Sequence, residues 1–197
     1  MFTILRSVTP PGRGRGHSAD DVARTALRIL DDGLADLTMR RLAARLDVQP
    51  SALYWHFPNK QSLLAELSER IVGRAASLLR GSGVAAEARA LRDALLAYRD
   101  GAEVVSSTLA LGLGTSAAHD RLAAAVAAEG FGPRTSARAA TTLLHFVLGH
   151  VWHEQQRLQY DSVGVVAPGA TPVPDADFAF GVDLIHRGLH ASASRPA

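Results

Sequence analysis

Ser51, Ala52, Tyr54, His56 and Lys60 fall within one ten-residue stretch, and their side chains suit nucleic acid better than catalysis. A serine hydroxyl donates to or accepts from a base edge, and an alanine methyl can meet the methyl of thymine. Tyrosine and histidine reach phosphate oxygens. Lys60, the one lysine of the chain, adds a point charge where a helix start already favours an anion. Arg13 and Arg15 stand in Pro10-Pro11-Gly12-Arg13-Gly14-Arg15-Gly16, a segment unable to hold a helix. Such a basic arm can follow a minor groove, where narrowing raises the negative potential; a plain flexible terminus is the alternative.

A second group has the spacing of a metal site. His150, His153 and Glu154 stand at i, i+3 and i+4 and share a helix face. No further cluster supplies the remaining ligands, so hydrogen-bonded histidines are expected, with no metal and no cofactor. The chain has no cysteine, which excludes disulfides, thiolate zinc sites, iron–sulfur clusters and cysteine nucleophiles. No Ser-His-Asp spacing, paired carboxylates or glycine-rich phosphate loop stands out. An enzyme is not expected. A metal-dependent enzyme built on the His150 face and a module that docks a protein are the competing classes.

Helices must position these residues. The chain has 197 residues, 47% hydrophobic and 6% aromatic, with apolar positions at helical rather than alternating spacing, and it reads as all-α. No apolar run is long enough for a membrane span, and a soluble, cytoplasmic protein is the expectation. Residues 1–60 carry a net +3 and residues 61–197 a net −1, an asymmetry too modest to argue from alone.

Ser18 and Asp21 open a first helix whose Val22, Ala26, Ile29 and Leu30 form an apolar face, ended at Gly33. Thr38 caps a short second helix carrying Leu42 and Leu46. Asp47 suits the left-handed backbone of a tight turn. Pro50 opens a third helix running to about His56. Asn59 caps a fourth over 60–80 with Leu64, Leu67, Ile71, Ala75 and Leu78 on one face. Beyond a hinge at Gly81-Ser82-Gly83 come helical runs at 84–100, 103–112, 116–129 and 133–160. A loop rich in proline and glycine over 161–175 precedes a last helix.

Residues 38–60 thus read as helix, tight turn, helix, the arrangement that presents the N-terminal end of its second helix to base edges. Residues 18–72 resemble the DNA-binding domain of the TetR family of transcriptional repressors. Leu53-Tyr54-Trp55-His56-Phe57-Pro58-Asn59-Lys60 and Thr38-Met39-Arg40-Arg41-Leu42-Ala43 carry the likeness. It implies a homodimer holding two heads on double-stranded DNA, a palindromic operator, and a helical domain for a small-molecule effector. Carried onto this chain, the family's DNA contacts fall on Thr38, Arg40, Pro50, Ser51, Ala52, Tyr54, His56 and Lys60. Asp47 stands where most members have glycine. Leu42, Leu46, Val48, Leu53 and Phe57 are expected in the core. Trp55 is open between core and backbone contact, and Arg41 and Arg45 between DNA and solvent. The division expected is an arm over 1–17, a helix-turn-helix domain over 18–72, and a ligand-binding and dimerisation domain over 73–197.

Tyr98 to Val104, Glu129-Gly130-Phe131 and His145 to Gln155 resemble, more loosely, the effector domain of the tetracycline-repressor type. The resemblance puts that type's magnesium-binding histidine at Val105 and its neighbouring carboxylate at His153. Valine cannot ligate a hard cation, so a metal-free, mostly apolar effector is expected. Tyr98, Val105, Thr108, Leu109, His145, Phe146, Trp152 and His153 are its candidate contacts, with the aromatic rings stacking and the histidines hydrogen-bonding. Phe146 and Trp152 read equally as core or dimer residues. Ala140, Leu144, Val147 and Val151, with Phe178, Val182, Ile185 and Leu189, form two apolar stripes suited to a four-helix bundle across a two-fold axis, or else to the protomer's own core.

Overall fold

The structure, a computed structural model, describes residues 17–114, 116–165, 167 and 175–193. Arg13, Arg15 and most of the loop expected over 161–175 lie outside the described residues. Among those described, all regular structure is helical: α1 (Ala19–Leu30), α2 (Met39–Arg45), α3 (Pro50–Leu53), α4 (Lys60–Leu78), α5 (Val84–Leu96), α6 (Gly101–Ala110), α7 (Ala117–Ala127), α8 (Pro133–Ser162) and α9 (Asp175–Ala193). A single 3₁₀ turn, Leu34–Asp36, joins α1 to α2.

The helix starts follow local chemistry. Ser18 accepts from the Asp21 N–H at 3.1 Å while the Asp21 carboxylate accepts from the Ser18 N–H at 2.9 Å, so two unpaired donors are satisfied reciprocally. Those Ser18 hydrogen bonds, and Arg24 beside it, lower the Asp21 carboxyl to about 2. Thr38 accepts from the Arg41 N–H at 3.0 Å, and Asn59 from the Ser62 N–H at 2.8 Å. Between α2 and α3 the chain turns through Asp47 at φ 55°.

Several boundaries differ from the periodic reading. α3 stops at Leu53, and Tyr54 to His56 continue as turn, because Pro58 disfavours helix at the residue before it. α5 ends at Leu96 rather than near 100, and α6 begins at Gly101, where a Cβ would lie 2.3 Å from the Leu95 carbonyl oxygen. Only glycine lets the two backbones pass so closely. α4 ends at Leu78 and buries Leu63, Leu67, Ile71, Val72 and Ala75; Leu64 and Leu78 flank that stripe half-buried.

One hydrophobic core runs from Val22 in α1 to Val182 in α9. α4 is unbroken across positions 72 and 73, so the expected domain boundary falls inside a helix that packs on α1 on one side and on α5 and α6 on the other. The Asp100 carboxylate, buried at the α5–α6 corner, accepts from the Leu34 N–H at 2.6 Å and from Gln159 Nε2 at 2.6 Å. Gln155 of α8 fastens the same corner. Its amide donates to the Leu95 and Tyr98 carbonyls and its oxygen accepts from the Ala102 N–H.

Candidate nucleic-acid interface and effector body

α2 and α3 present a polar outer face on a buried floor. Leu42, Leu46, Leu53 and Phe57 are buried, which fixes the roll of both helices. Thr38, Arg40, Pro50, Ser51, Tyr54 and His56 are exposed, while Ala52 and Lys60 are half-buried. The candidate contacts described therefore share the surface side of one motif. Trp55 is 89% exposed, which settles it as surface. An indole this open beside Tyr54 and His56 is a backbone-contact candidate that a short aromatic run could not specify in advance. Arg41 is engaged elsewhere: its guanidinium pairs with Asp36 and, at 2.6 Å, with Asp32, tying α2 to the preceding turn. Arg45 is exposed. His17 Nε2 lies 2.8 Å from the Leu46 carbonyl, which seats the residue before α1 against the turn of the motif.

The residues expected to meet an effector do not converge. Val105 and Thr108 are buried in α6, with the Thr108 hydroxyl spent on the Val104 and Val105 carbonyls. Leu109 packs half-buried on the same core. Tyr98 lines a groove of about 220 Å³ between α5 and α8. Phe146 stacks on Phe178 with ring centroids 5.8 Å apart and crosses α9 at Gly181, where a Cβ would lie 2.2 Å from its ring. His145 and His153 are exposed. Trp152 alone of the eight lines the larger groove between α6 and α8, which encloses about 380 Å³ among Glu103, Ser106, Ser107, Ala110, Leu148 and Gly149. Sequence reasoning missed the polar rim of that groove, because Ser106 and Ser107 are featureless until α8 is set beside them.

The His150 group does not form a metal site. Glu154 accepts two hydrogen bonds from Arg92, at 3.0 and 2.8 Å, and Arg92 also holds Asp175 at 2.9 Å. His150 packs beside the Phe146–Phe178 pair, its ring 5.6 and 5.3 Å from theirs. Burial there pushes its pKa below the usual histidine value, with Glu154 opposing and Arg92 assisting.

The expected dimer stripes also need correction. Ala140, Leu144, Val147, Val151, Phe178 and Val182 are buried within the protomer, where α8 packs on α9, and Ile185 and Leu189 are half-buried at its edge. The first six are core, since a side chain already enclosed has no surface left to offer. On α9 the large exposed apolar side chains among the described residues are Phe180, at 62%, and Leu184, at 57%, one turn apart on the outer side.

The comparisons agree with this architecture. The family description "Bacterial regulatory proteins, tetR family" matches residues 23–67, and "Tetracyclin repressor-like, C-terminal domain" matches residues 82–166. The class G tetracycline repressor of Vibrio anguillarum is 34% identical over 195 residues, covering 85% of this chain and 91% of its own. The class A repressor from transposon 1721 of Escherichia coli is 40% identical over 145 residues, 68% of this chain but 65% of the repressor's length. BioQ of Mycobacterium smegmatis superposes with a TM-score of 0.78 at 41% identity, over 89% of this chain and 98% of that one. A BioQ bound to its natural double-stranded DNA operator superposes with a TM-score of 0.70 at 38% identity, over 89% and 99%. The chain belongs to the tetR family of bacterial regulatory proteins and is a ligand-responsive, DNA-binding transcriptional regulator.

Proposed function

We propose that the protein is a repressor that holds a palindromic operator as a homodimer and releases it when a small molecule enters the α6–α8 groove. The observation that carries the DNA half is the division of one short motif: Leu53 and Phe57 are buried while Ser51, Tyr54, Trp55 and His56 stand outside. Ser51 and Ala52 face base edges in the major groove, with Thr38, Arg40, Pro50, Tyr54, Trp55 and His56 on the flanking backbone. Lys60 and the first turn of α4 hold one phosphate together. Arg13 and Arg15 extend the footprint toward the minor groove. Two heads engage major grooves about 34–36 Å apart, which requires a second protomer.

The groove suits a planar, largely apolar molecule with a hydrogen-bonding edge. Trp152 offers a stacking face, and Ser106, Ser107 and Glu103 line the groove with polar groups. Val105, fully buried and without a ligand atom in its side chain, supports an effector that needs no magnesium ion. An effector that favours a shifted α6 moves Asp100 and, through its hydrogen bond to the Leu34 N–H, the head. Its differential affinity for the two arrangements moves the population off DNA.

Fluorescence anisotropy on DNA from the protein's own promoter tests the head. Tyr54→Ala and Lys60→Ala are expected to weaken binding at least about tenfold, with the salt slope of Lys60→Ala reduced by about one. Unchanged affinity and slope in both variants would overturn the assignment.

A further inference from the structure

Outside the helix-turn-helix and the α6–α8 groove, one cluster has donors arranged for an ion. We propose that Glu129, His186 and His190 form a binding site for one zinc-type divalent transition-metal ion in each protomer.

Glu129 follows α7 at the corner into α8, and His186 and His190 stand one turn apart on α9. Both imidazole Nε2 atoms approach the same carboxylate oxygen, at 2.7 and 2.9 Å. One ligand atom from each of the three residues lies within 4.8 Å of the others. Two histidines at i and i+4 on a helix, completed by a carboxylate from another segment, supply the mixed nitrogen and oxygen donors that zinc takes and that calcium and magnesium do not prefer. Zinc bonds of about 2.0–2.1 Å set tetrahedral ligand atoms about 3.4 Å apart, so seating the ion needs the carboxylate to withdraw by about half an ångström and the two imidazoles, whose ligand atoms lie within 4.8 Å of each other, to close on the ion by side-chain rotation. The side chains of His190, His186 and Glu129 are 51%, 33% and 24% exposed, which leaves room for a water as fourth ligand. The Phe131 ring meets His190 edge-on at 4.9 Å and limits the imidazole's swing. Burial opposes ionisation of Glu129, but the hydrogen bonds from His186 and His190 outweigh it and hold the carboxyl below its usual range.

The consequence is mechanical. α9 has no helix following it among the described residues, and an ion here ties its second half to the α7–α8 corner. His186 and His190 continue the i, i+4 row of the buried Phe178 and Val182, away from the outward Phe180 and Leu184. The ion thus fixes the helix without covering its outer face.

The test is calorimetric titration of full-length protein, freed of any histidine tag and stripped by chelator, with zinc chloride. One ion per protomer is expected, with affinity falling at least about tenfold in His186→Ala and in Glu129→Gln and unchanged in His153→Ala. Cobalt(II) is expected to give visible d–d bands of nitrogen ligation in the wild type, absent in a His186→Asn/His190→Asn variant whose circular dichroism matches the wild type. Zinc is expected to raise the melting midpoint of the wild type and leave that variant's unchanged. No binding at one equivalent, equal binding by the wild type and the double variant, or loss of binding through His153 instead would overturn the site.

Discussion

Asp21 shows how much a single carboxylate can organise. It accepts from both the backbone and the hydroxyl of Ser18, and these bonds, with Arg24, depress its titration to about 2. A group whose folded pKa lies below its unfolded value, about 3.9, stabilises fully above the unfolded value and loses that contribution as pH falls through the folded one. The stability difference between wild type and Asp21→Asn is therefore expected to be complete near about pH 5 and to shrink between about pH 4 and 2, read from urea midpoints. A difference that did not change over this interval would contradict the capping geometry. The cap was legible because Ser18 and Asp21 stand three positions apart and act through that spacing alone. Trp55 was not, since an aromatic residue in the turn after a four-residue helix faces in or out according to helices far along the chain. Likewise Val105, Thr108 and Trp152 stand together among the effector candidates yet end in core, core and groove, because the packing of α6 on α8 decides which side of each helix is covered.

At the scale of elements, the starts of α1, α2 and α4 follow from Ser18, Thr38 and Asn59, whereas the ends depend on contacts no local pattern contains. The α5–α6 corner is the clearest case. The apolar periodicity runs on toward residue 100, but Gln155 draws the Leu95 and Tyr98 carbonyls together and the chain turns at Gly101. Gly101→Ala is expected to destabilise the protein by about 1–3 kcal/mol, since its Cβ meets the Leu95 carbonyl oxygen at 2.3 Å and backbone, not a flexible side chain, has to give. Denaturant unfolding reads the loss. Because Asp100 precedes Gly101 and receives the Leu34 N–H, the same variant is expected to blunt effector-driven release in the anisotropy assay. Undiminished stability would mean that the corner relaxes freely.

For the whole molecule, the all-α architecture and the head were readable because helical periodicity and the motif from Leu53 to Lys60 are both local. Which apolar stripe of α9 stays outside was not. A stripe such as Phe178 and Val182, enclosed within the protomer, and one such as Phe180 and Leu184, left outside, are equally apolar and equally helical in sequence. Only the packing of α9 on α8 and α5 tells them apart. An outward pair of large apolar side chains on a terminal helix fits an isologous contact across a two-fold axis. Leu184→Glu is expected to convert the protein to monomers in sedimentation velocity and to abolish operator binding while leaving helicity intact. A dimer that survived this charge would place the interface elsewhere.

The chain contains two tryptophans, Trp55 on the face of the head and Trp152 on the wall of the α6–α8 groove. Each half of the switch thus carries its own built-in fluorophore. On the proposed function, quenching of Trp55 is expected to mark the nucleic acid arriving and quenching of Trp152 the small molecule, and stopped-flow traces of the Trp55→Phe and Trp152→Phe variants time the two events without any added label.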